Sequence, residues 1–101
     1  MITVTGTLVH GIEVDGVAHK DFELRAATIG DAVAAIEEAG ADASFLRVKV
    51  HKMARCLLRV GTLKAGEVTP AMLLALPEED FGPLNIALDA TEKKPKASAS
   101  A

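Results

Sequence analysis

The stretch Leu24-Arg25-Ala26-Ala27-Thr28-Ile29-Gly30-Asp31 constrains this chain most, because a period-two pattern ends inside it and a capped helix begins. Before it, Ile2, Val4, Leu8, Ile12 and Val14 hold even positions with Thr3, Thr5 and Thr7 between them, the alternation of a half-buried strand. The pattern breaks near His10-Gly11, and Asp15-Gly16 is a hairpin signal. Beyond the turn, Ala18, Phe22 and Leu24 stay on even positions, while His19, Asp21, Glu23 and Arg25 take odd ones. A two-residue loop pairs Val14 with Val17 and splits the apolar set between two faces. A three-residue loop, Val14-Asp15-Gly16 with Gly16 left-handed, pairs Ile12 with Ala18 and Leu8 with Phe22. Parity therefore predicts the longer loop with a glycine bulge.

Thr28 and Asp31 stand as N-cap and N3 of a capping box, with Asp in place of the usual Glu or Gln. The helix they open carries Ile29, Val33 and Ile36 at helical spacing and stops at Gly40. A second helix is expected from about Ala43 to Val60, with Leu46, Val50, Met53, Leu57 and Val60 on one stripe. Arg47, His51, Arg55 and Arg59 then form an i, i+4 ridge on the other side, with Lys52 beside it. Gly61 and Gly66 bracket a connector. Thr69-Pro70 starts a short helix to about Ala75, and Pro77 opens a turn through Glu78-Glu79-Asp80. A last helix should carry Phe81, Leu84, Ile86 and Leu88. From Ala90 the composition falls to Ala, Ser, Lys and one Pro, which reads as a disordered tail.

The fold class expected is α+β: an N-terminal antiparallel β-hairpin or small sheet packed on three to four α-helices. One globular domain spans 1–89, with a hairpin region at 1–25, a helical region at 28–89 and the tail at 90–101. A chain of 101 residues supports one modest core. Half of it is apolar, yet Phe22, Phe45 and Phe81 are its only aromatics, so Ala, Leu, Val and Ile must build that core. Such a core buries little area per residue, and the domain stands to gain from association, a possible homo-oligomer.

Cys56 is alone and has no internal disulfide partner, which fits a reducing compartment. No apolar run nears the ~20 residues of a membrane span. The address expected is the cytoplasm. The net charge of −3 hides a blocked distribution. Residues 1–46 hold eight acids and two bases, 47–64 six bases and no acid, and 65–89 five acids and no base.

Little in the chain offers catalysis. Cys56 lies at the edge of an apolar stripe with no evident base and reads as a buried, inert thiol. His10, His19 and His51 lack metal-ligand spacing, and surface histidines are the default. Glu37-Glu38 and Glu78-Glu79-Asp80 are sequence neighbours that diverge on a helix, so they read as solvated faces or helix-end charges. Gly61 to Gly66 lacks the Lys-Ser/Thr of a phosphate loop. No catalytic residue, cofactor or metal ligand is assigned. The ridge Arg47, His51, Arg55, Arg59 is a candidate partner-binding surface, with a solvated face or neutralisation by Glu37, Glu38 or Glu78 as the plainer readings. Nucleic acid is disfavoured by the acidic balance and the lack of stacking aromatics.

In order and spacing, three segments resemble the small tail assembly chaperones of long-tailed, Mu-like bacteriophages and prophages. They are Val14-Asp15-Gly16 before a strand, Leu24-Arg25-x-x-Thr28-x-Gly30-Asp31, and Thr69-Pro70 with Leu73, Leu76, Glu79-Asp80-Phe81 and Leu84. The resemblance covers roughly residues 12 to 89. It implies a non-enzymatic role without a cofactor: binding the tape-measure protein, a long helical rod, while tail-tube protein assembles around it in the bacterial host cytoplasm. Leu24, Arg25, Thr28, Gly30 and Asp31 would then be fold-determining rather than contact residues, and the basic ridge maps onto no motif of the family. The alternative is a small regulatory or nucleic-acid-binding protein using that ridge.

Overall fold

A computed structural model describes residues 2–100, with side chains described as far as Glu92. The chain runs β1 (Thr3–Val14), β2 (Val17–Arg25), α1 (Ile29–Ala39), α2 (Phe45–Cys56), β3 (Leu57–Val60), β4 (Leu63–Lys64), α3 (Pro70–Leu74), a 3₁₀ turn (Glu78–Asp80) and α4 (Phe81–Ser100). The four strands form one antiparallel sheet in the order β1-β2-β3-β4. With the helices it makes the expected α+β fold.

The hairpin loop differs from expectation. Asp15 (φ +52°) and Gly16 (φ +79°) form a two-residue turn, with Val14 opposite Val17 and Ile12 opposite His19. Two positive φ values are what a primed hairpin turn requires, and Asp-Gly supplies them. The parity conflict is resolved further along the strand. Between Thr7↔Asp21 and Ile12↔His19, β1 spends Leu8 to Gly11 where β2 spends only Lys20. An odd surplus of residues returns even positions to even partners, so Gly6 faces Phe22 and Val4 faces Leu24. The break near His10-Gly11 is therefore a bulge. Gly11 sits there at φ +87°, where a Cβ would come within 2.7 Å of the His19 carbonyl oxygen.

The buried carboxylate of Asp80 holds this bulge. Its oxygens accept the backbone N–H groups of Val9 (2.5 Å), His10 (3.0 Å) and Gly11 (3.1 Å), while Glu79 meets His10 Nε2 at 2.9 Å. Asp80 thus stands at a helix end, just before α4, but it is not a solvated face: the bulge turns N–H groups away from β2, and a buried acceptor answers them.

The expected second helix is cut short. It ends at Cys56, and Leu57–Val60 instead forms β3, pairing Phe22 with Val60 and Glu23 with Arg59. The region 28–89 is therefore not all helical. Leu57 and Val60 are buried as the stripe required, on a strand, because a short apolar run satisfies either period. In α4 the inward row is Leu84, Ala87, Leu88 and Thr91, at i, i+3, i+4, i+7, packed on β1. Ile86, expected inside, is 71% exposed. Ordered packing passes the expected start of the tail at 90, since Thr91 is buried and its hydroxyl donates to the Leu88 carbonyl. From residue 93 onward the tail expectation concerns side chains outside the described residues.

Candidate functional site

The strand-to-helix junction folds around one carboxylate. Thr28 caps α1, its hydroxyl accepting from Asp31 N at 3.1 Å while Asp31 Oδ2 accepts from Thr28 N at 2.8 Å. Asp31 is 5% exposed and is held by a forked Arg25 guanidinium, Nη1 to Oδ2 at 2.6 Å and Nη2 to Oδ1 at 3.0 Å. Two parallel charged bonds fix both distance and plane. Arg25 also donates to the carbonyls of Ala26 and Arg55, tying β2 to the end of α2. The Arg25 guanidinium holds the Asp31 carboxyl well below the usual carboxylate range against the opposing effect of burial, with help from Thr28. Reciprocally, Asp31 raises the Arg25 pKa. Cys56 lies beneath, 3.9 Å from Arg25 Nη1, and burial pushes its thiol pKa up. That environment opposes the thiolate a nucleophile needs.

The basic ridge does not form one surface. Arg55 stays exposed but reaches across to α1, with Nη1 3.0 Å from Glu38 and Nε 3.4 Å from Asp31, and His51 Nδ1 lies 3.4 Å from the same Glu38. His51 is consequently mostly covered between α1 and α2. Arg59 sits on β3, its Nη1 donating to the Asp21 carbonyl and its Nε 4.0 Å from Glu23. Arg47 alone of the four makes no ion pair among the described residues. The separation follows from the helix ending at Cys56: Arg59 cannot continue an i, i+4 row on a strand.

These ion pairs set the rotation of α1, and the outcome inverts its hydrophobic pattern. Asp31, Ala35 and Glu38 stand at i, i+4, i+7, so satisfying Arg25, Arg55 and His51 turns that row toward α2. Ala35 is fully buried, and its small side chain lets the two helices approach closely. Ile29, Val33 and Ile36 lie on the opposite face and are 85%, 50% and 54% exposed. Phe45 (82%) and Leu46 are also exposed, at the start of α2. Beside Leu46 an apolar groove of about 520 Å³ runs between α2 and the α3–α4 segment, lined by Val50, Met53, Leu73, Leu74 and Phe81.

The sequence stripe of α1 was readable, but its direction was not. The signal that would have found it is the charge pattern: Arg25 and Arg55 need carboxylates, and Asp31 and Glu38 share one side. Among the described residues no group of three or more His, Cys, Asp or Glu could hold a metal ion, and no helix is long and apolar enough to cross a membrane. No family model, curated protein or solved structure matches the chain.

Proposed function

We propose that this chain is a non-enzymatic chaperone of phage tail assembly in the host cytoplasm, covering the apolar stripes of a helical tape-measure protein and helping to recruit tail-tube subunits. The observation that supports this reading is the outward row Ile29, Val33, Ile36 on a helix whose alanine face is the buried one. Full burial of a Val or Ile side chain is worth about 1.5–3 kcal/mol, and these three expose the equivalent of about two side chains. A helical partner that covers them gains roughly 3–6 kcal/mol, enough to matter for a reversible holder. A long amphipathic rod has the complementary need, since its own stripes aggregate when left in water.

The resemblance of Leu24 to Asp31 to the chaperone family enters differently. Those residues build the junction that aims α1, and they are not offered as contacts. The nucleic-acid alternative loses ground because His51 and Arg55 are engaged by Glu38, which leaves no continuous basic track. The test is co-expression with a phage tape-measure protein, the long helical rod the reading requires. That protein should stay soluble with this chain and precipitate without it or with an Ile29→Ser/Val33→Ser/Ile36→Ser variant. Equal solubility in all cases would sink the proposal.

A further inference from the structure

We infer that the outward face of α1 takes an amphipathic helix whose apolar stripe is edged by lysine or arginine; the inference rests on the covering role above and specifies the kind of helix covered. Ile29, Val33 and Ile36 run along roughly 10 Å of α1, two helical turns, the contact length of a short helix-on-helix seam. The charged residues of α1 and of the loops flanking it carry one sign. Residues 26–43 contain Asp31, Glu37, Glu38 and Asp42 and no base. Asp31 and Glu38 are consumed by Arg25, Arg55 and His51. Glu37 and Asp42 are exposed and make no ion pair among the described residues. At 100° per residue Glu37 falls directly beside Val33, on the edge of the exposed stripe.

Helix electrostatics point the same way. The last turn of α1 has Glu37 and Glu38 and no base, although the carbonyl end of a helix favours cations. Internal pairing answers Glu38 and leaves Glu37 beside the negative helix end. A cation on a partner helix, placed next to apolar side chains that fill the Ile29–Ile36 row, meets both. An acid-rimmed partner or an anionic lipid surface is repelled by the same groups. A second copy of this chain, docked through the same face of α1, would offer no base to Glu37, since residues 26–43 contain none.

The experiment uses three labelled helical peptides with an identical Leu/Ile stripe at i, i+3, i+4, i+7 and flanks of Lys, Gln or Glu, titrated against the full chain by fluorescence anisotropy. Affinity should fall in the order Lys, Gln, Glu, with steps of about fivefold at low salt, the scale of one or two exposed ion pairs. The steps should collapse near 1 M salt, where screening acts within about 3 Å. Glu37→Lys should reverse the order, and Val33→Ser/Ile36→Ser should weaken all three peptides, with unchanged thermal melts confirming the fold.

Equal binding of the three peptides, lost in the serine variant, overturns the basic rim and leaves the covering role standing. Binding that survives the serine substitutions overturns the choice of face. Absence of binding to any peptide overturns the inference, and the covering role is judged separately by the solubility experiment. A dimer of the free chain that the serine substitutions dissociate also overturns it, by showing that a second copy occupies the stripe.

Discussion

Asp80→Ala is the sharpest perturbation the fold offers. The Asp80 side chain is fully buried and joins the segment after α3 to the bulge of β1, some seventy residues earlier in the chain, by accepting the N–H groups of Val9, His10 and Gly11. A hydrogen bond to a charged acceptor is worth about 1.5–3 kcal/mol net, and an orphaned buried donor costs about 1–3 kcal/mol. The bulge is only part-buried, so water will re-solvate some of the three donors, and the low end of each range applies. The expected loss is about 3–5 kcal/mol, a large share of the ~5–15 kcal/mol that holds a domain of this size together. At about 4 °C per kcal/mol the melting temperature should drop by at least about 12 °C.

Asp80→Asn keeps one acceptor oxygen but sets an amide N–H₂ against a backbone donor, so about half that loss is expected. Circular dichroism melts give the stability change, and amide exchange locates it. The amides of residues 9–11 should lose protection first in both variants, ahead of those in β2. A drop of less than about 4 °C for Asp80→Ala, with exchange at 9–11 unchanged, would refute the view that this carboxylate holds the bulge.

Other substitutions probe the remaining arguments. Arg25→Lys keeps the charge but loses the fork on Asp31 and the bonds to the carbonyls of Ala26 and Arg55; a loss of about 2–3 kcal/mol in urea melts is expected. Because Arg25 depresses the Asp31 carboxyl, the stability from that pair is fully present above the unfolded Asp value of about 3.9 and is lost as pH falls below it. Melting temperature should therefore fall less steeply below pH ~4 in Asp31→Asn than in the native chain, from a lower starting value. Gly6→Ala puts a methyl 2.5 Å from Phe22 Cζ, so the ring must shift within the core; a loss of about 1–3 kcal/mol by chemical denaturation is expected. Val33→Ser on the exposed stripe should change stability by no more than about 0.5 kcal/mol, as a surface site does.

What the sequence made legible follows from the range of the interactions involved. The capping box at Thr28 and Asp31, the start of α3 at Thr69-Pro70 and the turn at Pro77 are local devices, decided within four residues, and each stands where it was read. The hairpin register failed because a pairing argument assumed one continuous ladder, while Asp80, far away in sequence, stabilises an interruption in it. Strand β3 was missed because Leu57 and Val60 extend a helical stripe as readily as they form part of a short strand. The turn at Gly61, whose left-handed φ of +58° closes β3 onto β4, was the available sign that a strand precedes it. The basic ridge was legible as charge but not as surface, since its partners come from α1 and β2.

Helix α1 carries the most general lesson about this chain. Two rows compete for its buried side: Ile29, Val33, Ile36, favoured by hydrophobic transfer, and Asp31, Ala35, Glu38, favoured by the guanidinium groups of Arg25 and Arg55 and the imidazole of His51. Turning the first row inward would gain a few kcal/mol of apolar burial. It would also withdraw Asp31 from a buried fork and leave Arg25 between β2 and α2 without its carboxylate, and breaking a buried pair costs about 3–5 kcal/mol. The alanine at position 35 settles the balance, because a small residue lets α1 and α2 approach closely enough for the ion pairs to close, where an isoleucine would hold them apart. Ala35→Ile should therefore separate α1 from α2 and loosen the Arg55–Glu38 contact. The exposed stripe thus follows from how the interior is satisfied, and it leaves the domain with apolar surface that its own fold cannot cover.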